Sequence, residues 1–153
     1  YDLLFAEEPI RAYCPVKDWE LLAKQTGISL AAGENIYGVE QFLQMAEAGV
    51  KYLQPDVAKW GGISGALSLA EKMPDDCVLW PHFMGSAVGQ QAGLAISAAI
   101  GNASKCEMDV NENALRSDLC ADVLVIENGC VSLSETSGLI TPPSEDALVL
   151  FSV

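Results

Sequence analysis

Apolar and polar positions alternate in blocks along the first hundred residues of the chain. Short apolar runs, most of them followed by a polar residue, predict strands at residues 3–6, 28–32, 51–54, 77–80 and 105–108. Between these runs, the sequence predicts helices at residues 19–25, 39–48, 64–72 and 87–100. Gly27 and Gly49 follow two of these helices, as is common at helix ends. The pattern predicts a strand–helix repeat.

The repeat stops after residue 110. Residues 123–126 and 131–133 predict a β-hairpin around an Asn128-Gly129 turn. Residues 134–144 are rich in Ser, Thr, Pro and Gly and predict a loop, and the acidic residues after Ser144 favour a helix start there. We therefore expect two segments, a partial (β/α) barrel at residues 1–113 and a hairpin with a tail at 114–153.

One polar side chain marks the end of each predicted strand. These side chains, at intervals of 22 to 27 residues, are Glu7, Glu34, Asp56, His82 and Glu107. A strand with its return helix takes roughly 25–30 residues. Polar groups at the carboxyl ends of successive parallel strands form the active-site rim of a (β/α) barrel. The sequence thus predicts an α/β fold with five βα units of a TIM-type barrel and a C-terminal hairpin.

Five units leave a barrel open, because closure takes about eight strands. Either three units are missing from this chain, or another copy covers the exposed strand edges and makes a homo-oligomer. The chain begins at Tyr1 without an initiator Met, directly inside a predicted core strand. We therefore expect a fragment, or a chain whose beginning is missing.

The composition of the chain disfavours several classes of partner and location. Half of the 153 residues are hydrophobic, which suits parallel strands buried on both faces. The net charge of −13 disfavours nucleic acid and anionic membranes as partners, and an acidic rim would instead attract a divalent cation. No apolar run is long enough to span a membrane, and no signal peptide is visible. Five scattered cysteines without a C-x-x-C pair favour a reducing, cytoplasmic location.

Glu7 and Glu34 are candidate metal ligands. Carboxylate oxygens on neighbouring strands suit Mg²⁺, although a surface acidic pair or a turn would also explain each of them. Lys59 is either a cation that keeps such carboxylates ionised or a solvated lysine. A zinc site is disfavoured, because the chain has one histidine and no paired cysteines.

Asp56 and His82 are candidate acid–base residues. A lone histidine is more often a core residue, but here an aspartate ends the preceding strand. A carboxylate on one ring nitrogen fixes the tautomer and raises the basicity of the other nitrogen. Glu107, with Asp109 as its rival, would donate a hydrogen bond to a substrate carboxylate if burial raises its pKa. A serine hydrolase triad is disfavoured, since no G-x-S-x-G occurs.

Four motifs in order make the chain resemble a known family. They are FAEEP at residues 5–9, AGEN at 32–35, QPDVAKWGGI at 54–63 and PHFMGS at 81–86. Together they resemble the C-terminal barrel half of the enolase superfamily, in its mandelate racemase-like branch, over roughly residues 3–113. The resemblance implies that Glu7 and Glu34 bind Mg²⁺, that Asp56 and His82 form the acid–base dyad, and that Glu107 hydrogen-bonds the substrate carboxylate.

The same resemblance implies a lyase or isomerase. The reaction would abstract a proton α to a carboxylate through an enediolate, giving dehydration, racemisation or epimerisation of a hydroxy- or sugar-acid. A muconate-lactonizing-type cycloisomerase ranks lower, because that branch usually has lysine in place of the dyad. The family's first metal ligand, a lysine-bearing strand and its capping domain have no counterpart here. We therefore expect this chain to be inactive alone, with a non-catalytic, self-associating half-barrel as the alternative.

Overall fold

A parallel sheet forms the centre of the molecule. The computed structural model describes residues 2–101, 105–120, 124–133, 137–139 and 142–152. Within these residues the sheet has four parallel strands in chain order, namely β1 (Ala6–Glu7), β2 (Leu30–Ala32), β3 (Val50–Leu53) and β4 (Val78–Leu79). Four of the five predicted strands are therefore confirmed, each close to the apolar run that predicted it.

Helices connect the strands, as the spacing predicted. Four helices lie in the repeat, namely α1 (Val16–Thr26), α2 (Val39–Glu47), α3 (Gly62–Ala70) and α4 (Ala87–Ile100). Gly27 ends α1 with a left-handed φ of 63°, which a glycine adopts without steric cost. After α2, the Gly49 N–H bonds the Ala46 carbonyl at 2.9 Å, again with positive φ. Both predicted helix stops are confirmed.

The core lies between the helices and one face of the sheet. Every residue of β2 is buried, as are three of the four residues of β3. Trp19 of α1 and Phe42 of α2 are fully buried in the same cluster. Burying one such large side chain stabilises the fold by roughly 1.5–3 kcal/mol. This packing holds the carboxyl ends of the strands in register.

The prediction of a strand at residues 105–108 is wrong. The structure describes residues 105–110, and they form no regular strand. Among the described residues, one backbone hydrogen bond joins this segment to the end of β4, from Glu107 N–H to the Pro81 carbonyl at 3.3 Å. Pro81 has no N–H with which a parallel neighbour would bond the Lys105 carbonyl, so a regular ladder cannot form there. The segment follows the path of a fifth strand without its hydrogen-bonding pattern.

The C-terminal region contains the predicted hairpin and helix start. Strands β5 (Ile126–Glu127) and β6 (Cys130–Val131) pair antiparallel. Asn128 and Gly129 between them both have positive φ, as a tight hairpin turn requires. The described part of this region also contains the helices α5 (Ala114–Ser117) and α6 (Glu145–Phe151). Residues 123, 134–136 and 140–141 of the predicted hairpin and loop lie outside the described residues, and the boundary at residue 113 stays a prediction.

The Ser144 side chain caps α6 by accepting a hydrogen bond from Ala147 N–H at 3.1 Å, so the predicted helix start is confirmed. Within the residues that the structure describes, no helix is long and apolar enough to cross a membrane.

Candidate active site

The polar residues singled out from the sequence lie at one edge of the sheet. Glu7 is in β1, Glu34 follows β2, Asp56 follows β3 and His82 follows β4. Asp56 and His82 face each other as a parallel bridge beyond the strand ends. Glu107 follows as the residue bonded to Pro81. The five residues therefore occur along this edge in chain order.

The His82 side chain is oriented by Asp56. His82 Nδ1 lies 3.1 Å from Asp56 Oδ2, and both residues are buried. Asp56 Oδ1 accepts hydrogen bonds from the backbone N–H groups of Ala58 at 2.8 Å and Lys59 at 3.2 Å. These bonds fix the carboxylate, and the carboxylate favours a proton on Nδ1. In the neutral ring Nε2 is then the free basic nitrogen.

Two glutamates surround that basic nitrogen. His82 Nε2 lies 2.9 Å from Glu34 Oε2 and 3.7 Å from Glu107 Oε2. Neither approach has hydrogen-bond geometry, so His82 Nε2 and Glu107 Oε2 are both buried polar atoms without a hydrogen-bond partner. Most buried polar atoms in proteins have a hydrogen-bond partner, and these two lie next to each other. The arrangement can exchange a proton with a small polar ligand.

Glu107 has the electrostatic surroundings of a proton donor. Burial raises its pKa above the ordinary glutamate value, His82 opposes the rise, and the charges of Glu7 and Glu34 add to it. The pKa of Asp109 is instead lowered, chiefly by the Asn111 backbone N–H, which donates to its Oδ1 at 2.9 Å. Between the two candidates, Glu107 has the pKa direction that the predicted role needs, and it is the one beside His82.

Lys59 lies between two of the carboxylates. Its Nζ is 3.6 Å from Glu34 Oε1 and 3.8 Å from Asp56 Oδ2. The Lys59 side chain is 35% exposed. Partly exposed ion pairs contribute about 0–1 kcal/mol to stability. Of the two interpretations from the sequence, the contacts favour the cation that neighbours the carboxylates over a fully solvated lysine.

The sequence interpretation missed Glu8. Its backbone has a left-handed φ of 36°, and its Oε1 is buried without a hydrogen-bond partner. Burial and then the charge of Glu34 raise the pKa of Glu8, while hydrogen bonds from the Gly33 backbone and the Asn35 side chain oppose the rise. Glu7 is exposed, whereas Glu8 is half-buried beside Glu34. Because side chains alternate along a strand, the sequence indicates that Glu7 and Glu8 face opposite sides. It does not indicate that the backbone turns at Glu8.

Gly33 sets the position of Glu34. A Cβ at Gly33 would lie 2.5 Å from backbone atoms of Gln54, which is closer than side-chain atoms are found in proteins. The loop after β2 therefore packs directly on the end of β3. Asn35 then donates a hydrogen bond to Glu34 Oε1 at 2.8 Å. Close backbone packing and one side-chain amide hold this carboxylate toward His82.

An aromatic layer lies beneath the polar one. Tyr52 and Trp80 stack with ring centroids 4.4 Å apart, and Phe5 meets Trp80 edge-on at 5.7 Å. Phe5 and Trp80 each precede a site residue, Glu7 and His82, by two positions. Residues two apart on a strand share one face, so the face carries stacked layers of side chains. The apolar layer supports the polar layer from below.

The carboxylates match a magnesium site in type but not in number. Glu7 and Glu34 offer the hard oxygen donors that Mg²⁺ prefers, but the ion takes about six ligands. Across the described ranges, no group of three or more His, Cys, Asp or Glu side chains is placed to hold a metal ion. Glu34 is also engaged by Asn35, Lys59 and His82. These residues can contribute to a metal site and do not complete one.

The sequence of this chain matches one protein family. The family model described as enolase C-terminal domain-like matches residues 1–147. A D-galactonate dehydratase of Ralstonia nicotianae is 30% identical over 145 residues, covering 94% of this chain and 37% of that protein. The chain thus spans well under half the length of this relative.

Solved structures share the fold. A mandelate racemase/muconate lactonizing enzyme of Bordetella bronchiseptica is 38% identical with a TM-score of 0.70, covering 75% of this chain and 33% of that one. The 3,6-anhydro-D-galactonate cycloisomerase of Zobellia galactanivorans is 26% identical with a TM-score of 0.88, covering 98% of this chain and 43% of that one. The predicted fold class, an α/β barrel portion with parallel strands, is confirmed.

Proposed function

Because this chain belongs to the enolase C-terminal domain-like family, we propose that it supplies the acid–base side of an active site for acid-sugar chemistry. The motif-based prediction of the enolase superfamily is confirmed by the same match. The proposed reaction abstracts the proton α to a carboxylate and leads to dehydration or isomerisation. The observation that carries the proposal is the position of His82 Nε2, 3.7 Å from Glu107 Oε2 with Asp56 behind the ring.

His82 acts as the base and then as the acid. Neutral Nε2 takes the α-proton, and the carboxylate of Asp56 stabilises the imidazolium that forms. The electron pair of the broken C–H bond moves into the substrate carboxylate, which becomes an enediolate. In a dehydration, His82 then gives the proton to a β-hydroxyl group that leaves as water as the enediolate collapses, whereas an epimerisation needs a second acid to protonate the opposite face of the enediolate. A positioned base of this kind contributes about 10²–10⁴-fold in rate.

Glu107 stabilises the charge that develops on the substrate. Its raised pKa favours the protonated form relative to an ordinary glutamate, so the carboxyl group can donate a hydrogen bond to a substrate oxygen. This hydrogen bond strengthens as the enediolate forms, which lowers the barrier rather than only tightening binding. The role is the one that the sequence predicted for this residue.

Glu7 and Glu34 would hold Mg²⁺ in part. A bound Mg²⁺ supplies positive charge next to the substrate carboxylate oxygens. The further ligands that it needs would come from water, from substrate or from residues outside the described ones. For that reason we propose that this chain alone is inactive and binds Mg²⁺ weakly.

The substrate class proposed is a small sugar-acid carboxylate. Two relatives support it, one named D-galactonate dehydratase and the other 3,6-anhydro-D-galactonate cycloisomerase. The Asp56–His82 pair favours dehydration or epimerisation over the lysine-based cycloisomerisation considered above. His82 would abstract the α-proton in both reactions, but epimerisation also needs a second acid on the opposite face of the enediolate.

The test is α-proton exchange in D₂O. The protein that carries this chain is incubated with D-galactonate and other aldonic acids, with Mg²⁺ or with EDTA, and the α-position is followed by proton NMR. We expect exchange or conversion of at least one acid in Mg²⁺ and its loss in EDTA. Absence of exchange across such a panel, with the protein folded and loaded with Mg²⁺, would overturn the proposal.

A second candidate is a non-catalytic half-barrel that self-associates. Among the described strands, β1 pairs with β2 alone and so leaves one edge of the sheet open. Leu3 and Leu4 beside it are each 58% exposed. An open edge with apolar residues favours pairing with another copy. Sedimentation of the 153-residue chain tests this, since a stable monomer across concentrations would contradict it.

A further inference from the structure

We infer that Gln90 is a positioning residue that holds Glu107 opposite His82. Gln90 lies on α4 and is fully buried, with 0% of its surface exposed. Its side-chain Nε2 donates a hydrogen bond to the Glu107 carbonyl at 2.9 Å. Because the Gln90 side chain contacts the backbone of Glu107 and not its carboxyl group, the effect of Gln90 on the reaction is indirect. The inference rests on the proposed function, because it assigns Glu107 a part in that chemistry.

The segment that carries Glu107 needs such support. Among the described residues, its backbone connection to β4 is the single bond from Glu107 N–H to Pro81. In a parallel ladder the N–H of Phe83 would return a bond to the Glu107 carbonyl, but among the described residues no backbone N–H bonds that carbonyl. The amide of Gln90 satisfies this carbonyl from the helix side instead. A side chain thus replaces the missing strand bond at the residue that faces His82.

Helix α4 approaches this segment closely at a second point. A Cβ at Gly93 would lie 3.1 Å from Cys106 Sγ, so glycine leaves the space that this thiol occupies. Gln90 Nε2 also lies 3.4 Å from the same sulfur. Gln90 and Gly93 are one helical turn apart and therefore face the segment together. Helix α4 therefore contacts residues 106–107 at two positions, Gln90 and Gly93, and not through a single hydrogen bond.

The chemistry of Gln90 points to a role beyond packing. Its Oε1 is buried and has no hydrogen-bond partner, which destabilises the fold. An apolar side chain of the same size would fill this position without that penalty. The amide is useful there only for its N–H donors, whose acceptors are the Glu107 carbonyl at 2.9 Å and the neighbouring Cys106 Sγ at 3.4 Å. Loss of the donor would let the Glu107 carboxyl group move relative to His82 Nε2, now 3.7 Å away.

The experiment is a double-mutant cycle on the protein that carries this chain, loaded with Mg²⁺. Gln90→Met removes the donor at similar volume, and Glu107→Gln alters the group that it is inferred to position. We expect Gln90→Met to lower kcat for α-proton exchange by about tenfold, but by less than about twofold once Glu107 is already replaced. An equal loss in both backgrounds would overturn the inference, since a structural defect acts whatever side chain stands at 107.

Gln91→Met is the matched control. Gln91 carries the same amide on the same helix but lines a separate cavity with Asp109 and Arg116. We expect its exchange rate to stay within about twofold of the unmodified protein. A loss equal to that of Gln90→Met would show that any amide loss on α4 is harmful and would also overturn the inference.

A second variant covers the case in which Gln90→Met does not fold. Gln90→Glu keeps the shape of the side chain and is taken through the same cycle with Glu107→Gln. If neither variant folds, Gln90 is required for folding and the positioning role is rejected. Failure of the unmodified protein to exchange any α-proton would reject the proposed function itself. Exchange by the unmodified protein with additive variants would reject only the role of Gln90.

Discussion

His82 Nδ1 lies 3.1 Å from Asp56 Oδ2, and the two residues form a parallel bridge just beyond the ends of β3 and β4. The backbone pairing therefore places the two side chains on neighbouring strands at the same height. Because Asp56 is itself held by two backbone N–H groups, the ring of His82 has one favoured tautomer and one orientation. The acid–base chemistry proposed above depends on this pair.

Asp56→Asn should lower the rate of α-proton exchange by about 10²–10⁴-fold. An amide is close in size to the carboxylate but does not stabilise the imidazolium or favour a proton on Nδ1. The rate is measured by NMR in D₂O, with circular dichroism as a check on folding. Asp75→Asn, at an exposed aspartate, should leave the rate unchanged. A rate for Asp56→Asn close to that of this control would exclude the dyad.

Lys59→Met should slow exchange by about tenfold while changing stability by less than about 1 kcal/mol. The rate should fall because the charge of Lys59 lies beside Glu34 and Asp56. Stability should change little because the Lys59 side chain is 35% exposed. Lys24→Met is the control, because Lys24 forms an exposed ion pair with Glu20 on α1. The two variants are compared by exchange rate and by thermal melting. Equal rates would mean that Lys59 has no influence on the site.

Gly33→Ala should destabilise the fold and displace Glu34. The added Cβ would meet the Gln54 backbone at 2.5 Å, and such overpacking costs about 1–3 kcal/mol. Gly27→Ala is the control for backbone strain alone, since Gly27 has a left-handed φ of 63° and an added Cβ there would meet nothing within 4 Å. Urea unfolding compares the two variants, and exchange should suffer only in Gly33→Ala. Equal exchange rates would show that Gly33 does not set the position of Glu34.

Cys106 should resist alkylation until the pH is high. Burial raises the pKa of its thiol to about 11 from an ordinary value of 9.0, whereas Cys130 is exposed. Since the thiolate is the reactive form, iodoacetamide at about pH 8 should modify Cys130 at least about a hundredfold faster. The peptides are quantified by mass spectrometry.

The same raised pKa has a consequence for stability. The folded protein keeps the Cys106 proton where the unfolded chain has begun to lose it. Its contribution to stability is therefore fully present below pH 9.0 and is lost as the pH rises through about 11. Alkylation of Cys106 as fast as Cys130 in the same mildly alkaline buffer would contradict the burial of this thiol.

Regular elements could be predicted from the sequence because their signals are local. The bounds of α4 were predicted correctly, and two of its small residues, Ala87 and Gly93, are buried. The strand at residues 105–108 was predicted wrongly because the missing ladder depends on Pro81, which lies far earlier in the chain. The amide of Gln90 that replaces it comes from the preceding helix, which a pattern of short apolar runs does not reveal.

The candidate site could be predicted in its order but not in its geometry. Spacing brought Glu34, Asp56, His82 and Glu107 together, because parallel strands of similar length end at one edge. Spacing could not show that Glu8, with its positive φ, turns a second carboxyl group toward Glu34. It also could not count metal ligands, because that number depends on side-chain directions. The metal and catalytic assignments therefore stay predictions.

The most direct test replaces the base itself. His82→Asn in the protein that carries this chain, with Mg²⁺ and an acid sugar that the unmodified protein exchanges, is followed by NMR in D₂O. The folded state is checked by circular dichroism. We predict that α-proton exchange falls to the background rate, since this chain has no second histidine to take its place. Exchange at the unmodified rate would contradict the assignment of His82 as the base.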